Sequence, residues 1–117
     1  MSVAGSSAYK ASRGNWEIDD PGASGALPND KSGVVNLVSA AAEGRTLANP
    51  VKSGQRLTLA LAHDGGTITV TTSSTLEGTG NGSIVLDDLG DDCELLSVGR
   101  ETAYNWQVVG GYGYGIS

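Results

Sequence analysis

The sequence predicts an all-β protein: a small antiparallel β-sandwich or barrel with an extended N-terminal arm. Three observations lead there. From Gly33 onward, short runs of Val, Leu, Ile and Thr recur at roughly ten-residue spacing, each bounded by Gly, Asn or Asp. No helical pattern alternates with these runs, as a parallel βαβ sheet would require. Residues 1–32 have neither periodicity, being dominated by Ser, Gly, Ala, Asp and Pro with isolated large side chains at Tyr9, Trp16, Ile18 and Leu27.

The expected division is therefore an arm over 1–32 and a β domain over 33–117. Within the arm, Asp19-Asp20-Pro21-Gly22 is a turn signal and Leu27-Pro28-Asn29-Asp30 a second break. Thirty extended residues reach on the order of 100 Å. A segment that cannot bury its own apolar residues buries them against something else. Tyr9, Trp16 and Ile18 are the expected anchors, with Lys10 and Arg13 as ion-pair partners.

The β domain opens with a strand over Val34–Val38. Ser39 to Glu43 reads as one helical turn stopped by Gly44, and Thr46 to Asn49 as a strand ended by Pro50. In Arg56–Ala62, Leu57, Leu59 and Leu61 share one face, the period of two of a half-buried strand. His63-Asp64-Gly65-Gly66 is a turn, after which Thr67–Thr72 places Ile68 and Val70 inward; the two strands read as a hairpin. Ile84–Leu86, Cys93–Val98 and Tyr104–Val109 follow, the last two joined at Gly99-Arg100-Glu101. A final edge strand is expected to place Tyr112 and Tyr114 on one face.

Composition narrows the function classes. With no Phe, one Met and Cys93 as the single cysteine, the core falls to Leu, Val, Ile and Ala, without an intrachain disulfide. Small cores without staples are often completed by oligomerisation. The net charge of −6 lacks the basic footprint a nucleic acid needs. Its distribution is uneven: +1 over residues 1–56 and −7 over 57–117. No apolar run has the roughly 20 residues of a membrane helix. Nor does the start resemble a signal peptide, so synthesis in a cytoplasm is expected.

No constellation names a reaction, and neither catalytic residues nor a cofactor are expected. Gly78-Thr79-Gly80-Asn81-Gly82 is followed by a strand instead of the helix a phosphate loop needs. His63 stands beside Asp64 without a nucleophile elbow. Cys93 opens an apolar strand without a basic neighbour, and reads as core packing. The cluster Asp87, Asp88, Asp91, Asp92 and Glu94 is open to two readings, a solvated turn or a cation site, and its spacing does not match an EF-hand loop.

Thr67-Ile68-Thr69-Val70, Gly82-Ser83-Ile84-Val85-Leu86 and Asn105-Trp106-Gln107-Val108-Val109, within residues 46–113, resemble the small β domains of tailed-bacteriophage head proteins. The resemblance implies a capsid decoration (cement) protein of the virion's outer surface. Such a protein is a homotrimer bound to the major capsid protein, with N-terminal arms reaching across neighbouring subunits and no catalytic residue. It implies capsid stabilisation as the role; the oligomer interface is expected from the Gly/Tyr C-terminal segment, through Tyr112 and Tyr114, or from one hydrophobic face of the sandwich. Phage fibre modules share the same texture and imply the alternative, a receptor-binding domain in which Trp106, Tyr112 and Tyr114 meet a surface glycan.

Overall fold

The structure, a computed structural model, describes residues 16–117. These form an all-β fold of ten strands: β1 (Glu17–Ile18), β2 (Gly25–Leu27), β3 (Gly33–Ser39), β4 (Glu43–Leu47), β5 (Arg56–Asp64), β6 (Ile68–Thr72), β7 (Ser83–Leu86), β8 (Asp92–Arg100), β9 (Ala103–Tyr112) and β10 (Gly115–Ile116). Two five-stranded sheets result, in the orders β1-β3-β5-β8-β9 and β10-β7-β6-β4-β2. Their inner faces share one core, so of the sandwich and the barrel left open by the sequence, the sandwich is the fold.

The sheets are mixed, a correction to the antiparallel arrangement expected. Strands β1, β3 and β5 run parallel in one sheet, and β2, β4 and β6 run parallel in the other. The chain thus winds three times between the sheets as a stack of arches. Antiparallel β8 and β9 then extend the first sheet, and antiparallel β7 and β10 the second.

The expected hairpin of β5 with β6 is the clearest casualty. Leu57, Leu59, Leu61, Ile68 and Val70 are all buried as the alternation required. However, β5 pairs with β3 and β8, and β6 with β4 and β7. Period two fixes which face is buried, and it is satisfied equally by strands that pair and strands that face one another.

The arch itself is decided by Ser39 and two glycines. The fully buried Ser39 hydroxyl accepts hydrogen bonds from the Gly65 and Gly66 N–H groups at 3.0 Å each and donates to the Gly66 carbonyl at 2.7 Å. A Cβ on Gly66 would lie 2.3 Å from the Ala41 carbonyl carbon, so only glycine lets the third arch nest on the second. The helical turn expected over 39–43 is instead the second arch. Its five residues cannot nucleate a helix alone, and the Ala40 N–H donates to Glu43 Oε2 at 2.8 Å.

The stack also redraws the N-terminal boundary. Glu17 and Ile18 pair with Val34 and Val35, and Gly25 to Leu27 pair with Arg45 to Leu47. Residues 16–32 are therefore the first arch of the body, and the stretch read as an arm that remains, 1–15, lies outside the described residues. Ile18 heads an inner row Ile18–Val35–Leu59–Cys93 across four strands.

Aliphatic side chains dominate the core, joined by Cys93 and Trp106. Trp106 is 2% exposed and donates from Nε1 to the Ala48 carbonyl at 3.0 Å. The Cys93 thiol is fully buried, and burial followed by the nearby Asp92 charge pushes its pKa up to about 12. Thiolate is the reactive form. Cys93 is accordingly expected to resist a disulfide reagent such as DTNB in the native protein at neutral pH and to react stoichiometrically in denaturant. Rapid native labelling would contradict this packing.

Candidate interaction surface

The residues expected to anchor the arm separate into three groups. Tyr9, Lys10 and Arg13 lie outside the described residues. Trp16 is 68% exposed, at the point where the described chain begins. Ile18 is corrected from a free anchor to a half-buried side chain packed on the core, because β1 is held in register beside β3.

The proposed pairing of Tyr112 with Tyr114 also fails. Tyr112 ends β9 at 76% exposure, whereas Tyr114 packs against the core. Between them Gly113 adopts φ +74° and the chain passes from one sheet to the other, so the two rings do not share a face. The Trp106 part of the glycan-binding alternative falls as well, since the ring is inside. Tyr104 and Val109 are the other exposed large side chains of β9. This ten-residue strand is an edge of its sheet, and Glu77 N–H donates to its Trp106 carbonyl at 2.9 Å. Edge strands of this length invite pairing with another chain.

A cleft of 390 Å³ is lined by Trp16, Ser32, Gly33, Val34, Gly54, Arg56, Thr58 and Glu94. Its floor follows from the sheet register: Val34 lies opposite Thr58, and Thr58 opposite Glu94. The Trp16 wall is held where its carbonyl accepts the Val34 N–H at 2.6 Å. Gly33 (φ +152°) permits that approach, because a Cβ there would stand 2.1 Å from the Trp16 carbonyl oxygen. Arg56 Nη1 donates to Glu94 Oε2 at 3.0 Å, with the two side chains 60% and 40% exposed. Such an exposed pair contributes little to stability.

On the inner side of the second sheet, Arg45 forms the densest polar centre. Its side chain is 0% exposed, yet every guanidinium nitrogen has a partner. Nε and Nη2 donate to the two Asp20 oxygens at 2.8 and 2.9 Å, Nη1 to Glu43 Oε1 and the Gly44 carbonyl at 3.0 Å each, and Nη2 to the Val38 carbonyl at 3.1 Å. Burial would raise the Asp20 pKa, but hydrogen bonds from Arg45, Val38 N–H and Gly22 N–H, with the Arg45 charge, hold it below its ordinary value. Glu43 is lowered too, first by the Ala40 N–H and then by Arg45. The centre ties Asp20 of the first arch to Val38, Glu43 and Gly44 of the second. Its chemistry is structural.

Asp87, Asp88 and Asp91 bring carboxylate oxygens within 4.8 Å of one another. Asp91 is buried and its Oδ2 accepts the N–H groups of Asp87 and Asp88 at 3.1 and 3.0 Å, closing the turn before β8. The neighbouring Asp91 carboxyl, and then the charge of Asp88, push Asp87 upward. One oxygen of the central carboxylate is thus committed to the backbone of the turn. In the glycine-rich loop, Thr79 Oγ1 donates to the Leu76 carbonyl and Leu76 N–H to the Asn81 carbonyl, which folds the loop onto itself over the buried Leu76. Exposed His63 faces the Ser39 carbonyl through Nδ1 at 3.3 Å.

The cleft, the Arg45 centre and Ser39 were not singled out from sequence. For Arg45 a signal existed: it alternates in phase with Leu47, so the strand that buries Leu47 must bury Arg45. The cleft had none, because Trp16, Arg56 and Glu94 are brought together by pairing across sequence separations of about 40 residues. No helix among the described residues is long and apolar enough to cross a membrane. The chain matches no protein-family model and no curated protein.

Proposed function

We propose that the protein decorates and stabilises an icosahedral phage capsid, binding its outer surface as an oligomer, with the N-terminal segment clamping neighbouring capsid subunits. The observation that carries this reading is a division of labour within the chain. Residues 16–117 form a body with its own core, and carry −8, while residues 1–15 carry Lys10 and Arg13 and no acid. Exposed Trp16 stands at the junction. A cationic, aromatic-bearing segment on an acidic body suits attachment through the segment with the body facing away from the shell. Multiple segments engaging at once supply avidity from individually modest contacts. The edge strand β9, with Tyr104, Val109 and Tyr112, is the surface this reading assigns to trimer formation.

The fold makes the decisive experiment sharper. Removing residues 1–30 would delete β1 and β2 and damage the body, so the informative deletion ends at residue 15. Shell binding is expected to be lost in co-sedimentation with empty phage heads, with the thermal midpoint nearly unchanged. Because Lys10 and Arg13 act through charge, binding of the intact chain should also weaken as salt rises from low to molar concentration. A deleted chain that still saturates the shells would sink the clamping role.

A further inference from the structure

We infer that the Trp16 cleft is a binding site for a neutral pyranose saccharide. The inference rests on the cleft alone and holds whether or not the protein coats a capsid.

Saccharide recognition needs two kinds of surface side by side. One is a flat apolar ring on which the C–H face of a pyranose can lie. The other is a set of planar hydrogen-bonding groups that address adjacent hydroxyls from the ring's edge. Trp16 supplies the first: it is 68% exposed and forms a wall of the cleft. Aromatic rings with a polar edge are suited to half-wet surfaces of this kind.

Arg56 and Glu94 supply the second. Among the described residues, Arg56 uses one Nη on Glu94, and that bond occupies one carboxylate oxygen. Remaining guanidinium N–H groups and the second carboxylate oxygen are thus available as a paired donor and acceptor. Vicinal hydroxyls, each both donor and acceptor, match that pair. Thr58 lies on the floor, and the Ser32 hydroxyl oxygen accepts the Arg56 backbone N–H at 3.1 Å, with its own O–H still able to donate.

Size and charge narrow the ligand. The volume of 390 Å³ falls in the range of small-molecule sites, roughly 300–1,000 Å³. The floor row of Val34, Thr58 and Glu94 crosses three strands, about 10 Å at about 4.8 Å per strand. That accommodates one or two pyranose rings. The cleft's one cation and one anion neutralise each other, and the body carries −8, so a neutral sugar is favoured over an acidic one.

The full chain should be titrated with maltose, cellobiose and lactose, and screened on an array of neutral oligosaccharides. The readout is intrinsic fluorescence with acrylamide quenching. Trp16 and Trp106 are the two tryptophans of the chain, and Trp106 is buried, so the quenchable signal reports on Trp16. Binding is expected to shield that signal from acrylamide, at millimolar or lower sugar on the order of single-site carbohydrate affinities. Trp16→Ala and, separately, Glu94→Gln should each weaken array binding about tenfold or more, with the circular dichroism spectrum unchanged. Three results would overturn the assignment: no sugar response in either format, binding indifferent to both substitutions, or a Trp16 signal already shielded in the free chain. The last would identify residues 1–15 as the occupant of the cleft.

Discussion

Arg45→Ala is expected to destabilise the fold by about 3–5 kcal/mol, because it leaves the Asp20 carboxylate buried without its charge partner. That is a large share of the roughly 5–15 kcal/mol typical of a domain. The loss should show as a lower urea midpoint with an unchanged slope. Asp20 is 12% exposed and accepts both forks of the guanidinium, so no single solvent molecule replaces what is lost. The Asp20→Asn, Arg45→Met double substitution should recover part of the deficit, since removing both halves leaves no uncompensated charge. If the double variant is no better than the single one, the geometry of Arg45, and not its charge pairing, holds the arches.

The same centre is expected to shape the acid limb of the stability curve. Asp20 and Glu43 are both held below their ordinary values in the folded protein. Groups depressed by folding stabilise it above their unfolded pKa, and that contribution is lost as pH falls into and below the carboxylate range. Asp87 is raised and acts in the opposite sense, favouring the fold below its ordinary value and opposing it above. Arg45 replaced by Met should flatten the acid limb between about pH 5 and about pH 2, as measured by urea midpoints. An acid limb of unchanged steepness would place the responsible carboxylates elsewhere.

Trp106→Ala should have a comparable effect, about 3–5 kcal/mol, by opening a cavity between the sheets. Trp106→Phe separates the two contributions of the side chain. It retains most of the apolar volume but leaves the Ala48 carbonyl without the Nε1 donor, for about 1–3 kcal/mol when the acceptor stays dry. Equal losses from Phe and Ala would mean that the hydrogen bond outweighs the packing. Because β9 is also an edge strand, self-association of the wild type should be measured in the same experiments, so that assembly is not mistaken for fold stability.

The all-β class, the sandwich and the buried faces were legible from sequence because they depend on local pattern. Leu57, Leu59, Leu61, Ile68 and Val70 alternate with polar or small residues, and burying them in one layer has one solution per strand. Trp106 and Cys93 were likewise readable as core, each standing in an apolar strand. Turn chemistry located the break at Asp19–Gly22, and that after β5 at Gly65 and Gly66, although His63 and Asp64, read as part of the turn, belong to the strand.

What each break connects could not be read in the same way. A turn containing Gly65 and Gly66 serves a hairpin or an arch, and the choice lies in whether Ser39, over twenty residues away, fits beneath it. Residues 16–32 have too little apolar content to look like structure, yet they fold because β3 and β4 offer free edges and Arg45 offers Asp20 a buried partner. Sequence by itself determined which side chains leave water, since that follows from the two-residue repeat of a strand. Tertiary structure alone decided which strands meet, because backbone pairing is indifferent to side-chain identity until long-range contacts such as Asp20–Arg45 and Ser39–Gly66 select one register over its alternatives.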